Sequence, residues 1–140
     1  MSIWSDVIHV DRGKHHRVMF LIAALWNWIL AVTFLLLPRI DINYFLLSGV
    51  EAPPTLLWFD SFMGLVFAFG IGFYIVSRST KENHGVIEMA IFEKVWVFVV
   101  GLCYFLVGQA SVLLLAVVTG DLVFGFLFIE DLLAIRKTTQ

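Results

Sequence analysis

Four apolar runs, each close to the roughly 20 residues that cross a bilayer as a helix, constrain this chain more than any other feature. They cover about 18–37, 56–76, 86–107 and 111–135. The runs are continuous rather than alternating, which selects helices over a transmembrane barrel. Breakers stand where connections are needed. Pro38 and Arg39 stop the first run, Pro53-Pro54 precedes the second, and Gly108-Gln109-Ala110 turns the third into the fourth. Composition agrees: 61% of residues are hydrophobic and 14% charged, against about 45–50% and 25% in soluble domains. A water-soluble domain of 140 residues has too little interior to hide that much apolar surface. A net charge of −2 without a long basic run excludes nucleic acid as a partner. The single cysteine, Cys103, excludes a disulfide scaffold, a CxxC redox pair and a cysteine metal cage.

The expected fold is an all-α membrane protein, a four-transmembrane-helix antiparallel bundle over residues 18–135. The first run is too long for a signal-peptide core and no small-residue cleavage site follows it. Residues 1–17 are expected to form a polar tail with a short interfacial helix around Trp4. Residues 38–55 form an outer loop, apolar enough at Tyr44-Phe45-Leu46-Leu47 to lie on the membrane or cap the bundle, and 136–140 form a C-terminal tail. Orientation follows from lysine and arginine. Arg12, Lys14 and Arg17 precede the first run, Arg78 and Lys81 lie between the second and third, and Arg136 and Lys137 follow the fourth. The other side carries only Arg39. Both termini are therefore expected in the cytoplasm.

Ionisable residues inside a span are costly and face the protein interior or a water cavity. Asp121 lies about 16 Å deep, Asn27 about 15 Å and Lys94 about 20 Å, at about 1.5 Å per residue. A lysine stem is long enough for Lys94 to meet Asp121, with Asn27 as a hydrogen-bond neighbour. Glu93 projects about 100° away around the helix. Asp60 lies only about 6 Å below the outer surface. Three readings of Lys94 follow: a staple fixing helix register, a titrating or ligand-binding centre, or a lysine that snorkels to the interface and never meets Asp121. Glu88, Glu130 and Asp131, with Arg78, Lys81 and Arg136 at similar depth, are expected to form interfacial ion pairs of little net energy. Trp26, Trp28 and Trp96 sit deep, where they either pack or shield the polar residues.

Small residues mark close helix contact in lipid. Gly64, Ala68 and Gly72 form such a ladder on the second run, for bundle packing or homo-oligomerisation. Ala23, Asn27 and Ala31, and Ala116 with Gly120, form similar faces. The second and fourth runs also echo one another: Asp60, Gly64 and Phe67 have the spacing of Asp121, Gly125 and Phe128, which a parallel repeat of two hairpins would explain.

The histidines, His9, His15, His16 and His84, all fall outside the apolar runs, so a haem held by two histidines inside the bundle is not expected. His15-His16 near Asp11 is read as a solvated tail rather than a metal site, and no cofactor is expected. HExxH, GxSxG and P-loop motifs are missing.

Asn27 beside tryptophan, Glu93-Lys94 in the third run and Gly120-Asp121-Leu122-Val123-Phe124 in the fourth resemble a group of small bacterial four-helix membrane proteins, loosely similar to DoxX-like proteins. The resemblance implies a bacterial inner-membrane bundle and lends weight to Lys94 and Asp121; it assigns no reaction. Three functions follow. The first is a bundle, oligomeric in this reading, that transports or binds a proton, an ion or an amphipathic molecule through Asn27, Lys94, Asp121, Glu93 and Asp60, with a cavity reaching from Asp60 toward Asp121. The second is an accessory or scaffold subunit of a larger membrane complex, with a dry centre. The third is a lipid-modifying enzyme using Glu93 and Asp121 in an open pocket.

Overall fold

A computed structural model describes residues 3–79 and 82–138, with side chains over 13–79 and 82–137. Its helices are α1 (Ile3–Ile40), α2 (Tyr44–Leu47), α3 (Leu57–Arg78), α4 (His84–Leu106) and α5 (Val112–Thr138). No strand occurs among the described residues. Four of the helices are long and apolar enough to cross a membrane. Large apolar side chains such as Leu25, Ile29, Leu65, Phe92, Trp96, Leu113 and Phe126 point outward from them. Such a surface suits hydrocarbon rather than water. The chain is a multi-pass membrane protein.

The helix ends follow local chemistry. α3, α4 and α5 begin and end within a few residues of the expected limits. α1 departs from expectation at both ends. The backbone is helical without a break from Ile3, so the segment around Trp4 is not a separate helix but the start of α1. Residues 3–17 contain no proline, and their one glycine, Gly13, does not break a helix. At its far end α1 continues past Pro38 to Ile40. Pro38 has no N–H to donate to the Phe34 carbonyl one turn back, while the Arg39 guanidinium donates to the Leu35 carbonyl.

The helices pack as two close pairs, α1 with α3 and α4 with α5, and the pairs approach each other mainly through side chains. Glycine permits each close approach. A Cβ on Gly70 would stand 2.5 Å from the Trp28 indole nitrogen and 3.3 Å from the Ala24 carbonyl, and one on Gly101 would stand 2.8 Å from Val118. The ladder of Gly64, Ala68 and Gly72 does not serve this purpose as expected. A Cβ on Gly64 meets nothing within 4 Å, Ala68 is exposed, and only Gly72 approaches another helix, at Val86. Ala23, Asn27 and Ala31 are buried as expected, whereas Ala116 is exposed.

At one end an aromatic core joins the pairs. Phe20 of α1 stacks on Phe128 of α5 at 4.7 Å, and Phe73 of α3 meets Phe128 at 5.2 Å, with Ile87 and Ala90 of α4 buried in the same cluster. At the other end α2 caps the bundle. Phe45 turns inward against Phe59 at 5.1 Å. The Ser111 backbone N–H donates to the Ser48 carbonyl and its hydroxyl to that of Leu47, both at 2.8 Å. Gly49, at φ +74°, allows this docking, because a Cβ there would lie 2.7 Å from the Ser111 nitrogen.

Candidate functional site

Each helix brings its polar residue inward on a recognisable stripe. On α4, Ile87, Ala90, Lys94 and Gly101 share the buried face; on α5, Val118, Asp121, Gly125, Phe128 and Ile135 do. On α1, Phe20, Ala23, Asn27 and Ala31 do the same. Lys94, Asn27 and Asp121 therefore converge between the two helix pairs, exposed by 1%, 0% and 6%.

The Lys94 ammonium donates to Asp121 Oδ1 at 2.6 Å and to Asn27 Oδ1 at 2.8 Å. The Asn27 amide in turn donates to the Val66 carbonyl of α3 at 3.1 Å. Residues from all four long helices thus enter one network. The Phe73 ring lies beneath the ammonium, 5.4 Å from Nζ to its centroid, so the network rests directly on the aromatic core. Lys94 does not snorkel.

Glu93 departs from expectation. Its side chain turns toward its neighbour, so that Oε2 lies 3.4 Å from Lys94 Nζ despite the angular separation of their Cα positions. That oxygen is buried and accepts no hydrogen bond. A glutamate has enough rotatable bonds to cancel a helical offset that fixes only its Cβ direction.

Above this network lies a cavity of about 300 Å³. Asn27, Glu93, Lys94 and Asp121 form its polar end, and it runs toward α2, reaching Tyr44, Phe45 and Ser48. Its walls are otherwise mostly apolar, with Phe34, Phe59, Phe62, Met63 and Leu114 among them. Burial lifts the Tyr44 phenol above its ordinary pKa range, with Ser48 opposing, so it is an uncharged lining group at neutral pH.

Asp60 takes no part in lining this cavity. Its carboxylate pairs at 2.8 Å with Arg39, on a partly exposed face at the α2 end. The echo between the second and fourth runs therefore does not extend to environment. Asp60 is partly exposed where Asp121 is buried, and Phe67 is partly exposed where Phe128 is enclosed. Trp26 packs on Gly120 and Trp28 on Gly70, whereas Trp96 points outward and stacks on Phe92. None of these tryptophans lines the cavity.

A second polar contact was not anticipated. His16 of α1 pairs through Nδ1 with Asp131 of α5, whose side chain is 1% exposed. The signal was present in the spacing: His16 lies one helical turn before Phe20 on the buried stripe, and Asp131 one turn after Phe128. Glu88 does form the exposed ion pair expected of it, with Arg136 at 2.6 Å. Lys81 and the side chains of His9, Asp11 and Arg12 lie outside the described residues. Among the described residues no group of three histidine, cysteine, aspartate or glutamate side chains is arranged to hold a metal ion.

Comparison of the chain with protein-family models, with curated proteins and with solved structures finds no match.

Proposed function

We propose that the chain is a membrane bundle that binds, or carries across the bilayer, a small amphipathic molecule in the cavity between its two helix pairs. One observation supports this above the others: an apolar chamber of about 300 Å³ ends on a charged network rather than on packed side chains. Binding sites for small molecules have this character, apolar walls with a few convergent polar groups. A register staple needs the ion pair but has no need of a chamber beside it. The contacts of Arg39 with Asp60 and of Ser111 with Leu47 and Ser48 favour an antiparallel arrangement, with 38–55 and the α4–α5 turn at one end. The lysine and arginine bias favours that end facing outward and the termini facing the cytoplasm.

Filling the chamber tests the reading. The protein is reconstituted in nanodiscs of zwitterionic lipid and titrated calorimetrically with octanol and with charged eight-carbon amphiphiles. At least one should bind saturably to the wild type, beyond its partition into protein-free discs, and Leu114→Trp should abolish that binding. Identical responses from the two proteins for every amphiphile would overturn the reading.

The scaffold reading draws on a separate observation, the outward-facing Gly64 and Ala68 of α3, which leave room for close approach by another helix. The cavity beside the ion pair argues against the dry centre that reading requires. The enzymatic reading has less support, because both carboxylates at the polar end face the Lys94 ammonium, and an ion-paired carboxylate is a weakened base.

A further inference from the structure

Resting on the reading of the cavity as a binding site, we infer that its ligand is a cationic amphiphile, whose positive head sits against Glu93 and whose apolar body lies along the chamber toward α2. The inference comes from charge and donor geometry. Two carboxylates, Glu93 and Asp121, reach the polar end, and one cation, Lys94, faces them. Among the described residues no second cation lines the cavity, and Tyr44 is the only other titratable group along it. Arg39 is committed to Asp60, outside the chamber. The ammonium is also unevenly shared. It makes short hydrogen bonds to Asp121 and Asn27, while Glu93 Oε2 stands at 3.4 Å and accepts none. In low dielectric an excess carboxylate is costly, so the site takes up one positive charge. A permanently charged head beside Glu93 supplies that charge.

The walls suit the same ligand class. Phe34, Tyr44, Phe59 and Phe62 give the chamber aromatic walls toward α2, where they bury the alkyl body. An anionic head would meet two carboxylates and find Lys94 already engaged.

The test compares octyltrimethylammonium, octanol and octyl sulfate, equal in chain length, by calorimetric titration of the protein in zwitterionic nanodiscs, with protein-free discs subtracted. The inference expects the cation to bind at least about tenfold more tightly than the alcohol, and the sulfate more weakly than either. Glu93→Gln should abolish the preference for the cation over octanol, while Glu93→Asp retains part of it. The ranking of the three ligands on the wild type stands without any variant. Equal affinity for cation and alcohol, or preference for the sulfate, overturns the cationic assignment and leaves the cavity reading intact. Failure of all three to bind in a manner that Leu114→Trp abolishes removes the cavity reading, and the inference falls with it.

Discussion

Lys94 is the residue on which the centre depends, because its ammonium is the point where α1, α4 and α5 meet. Replacing it alone leaves Asp121 and Glu93 facing each other across a buried gap. Lys94→Met is expected to destabilise the protein by about 3–5 kcal/mol, the usual cost of stranding one partner of a buried pair. Lys94→Met combined with Asp121→Leu should recover part of that loss, because Asp121 is then no longer stranded although Glu93 still lacks its cation. Equilibrium unfolding in mixed micelles with increasing SDS reads the ranking directly; a double variant no more stable than the single would show that the pair does not act as a unit. The pair itself was legible from the amino-acid sequence, because a lysine and an aspartate at comparable depth in oil have few alternatives to one another. Glu93 belongs to the candidate set on sequence grounds, whereas the course of its side chain toward Lys94 does not follow from spacing. Helical periodicity fixes where a Cβ points, and a long side chain chooses its own course from there. For His16 the sequence misleads. Its neighbours in sequence are polar, and that outweighed its place on the stripe of Phe20, Ala23 and Asn27.

Long apolar runs define spans whatever they pack against, so the limits of α3, α4 and α5 could be read with little error. Which face of a span meets a neighbour is a weaker signal, because the lipid-facing and protein-facing sides are both apolar. Gly64, Ala68 and Gly72 illustrate this. They form the neater ladder, yet the close crossing of α1 and α3 is at Gly70, where Trp28 fills the space that a side chain would occupy. The two glycines therefore make a controlled comparison. Gly70→Ala places a methyl group against the Trp28 ring and the Ala24 carbonyl, and is expected to cost about 1–3 kcal/mol, as overpacking does. Gly64→Ala meets open space and removes a poor helix former, so its effect should stay within about 0.5 kcal/mol of neutral or be slightly stabilising. The same SDS titration checks both, and equal losses at the two positions would contradict the crossing described here.

At the scale of the molecule, the two helix pairs share a floor and a lid. The floor is the aromatic core of Phe20, Phe73 and Phe128, with the Lys94 network above it, and the lid is α2 tied to the α4–α5 turn through Ser111. A cavity between such pairs has a polar end partway along the long helices and a far end toward α2, so the direction in which the chain sits in the bilayer decides which compartment lies nearer the chamber's far end. That direction rests on charge. Apart from Lys94, Arg39 is the sole basic residue at the lid end, and it is neutralised by Asp60, whereas the 78–84 connection and both terminal segments carry the other lysines and arginines. The lid end should therefore face outward. Single cysteines placed in a background with Cys103→Ser report this directly. Glu51→Cys, on the exposed 38–55 segment, is expected to react with a membrane-impermeant maleimide in intact cells. Glu82→Cys, exposed on the opposite connection, is expected to react only after the membrane is opened. The reverse pattern would invert the molecule and aim the chamber's far end at the cytoplasm. Labelling of both sites from the same side would break the two-pair arrangement itself, because α3 would then no longer separate the two segments by a full crossing of the bilayer.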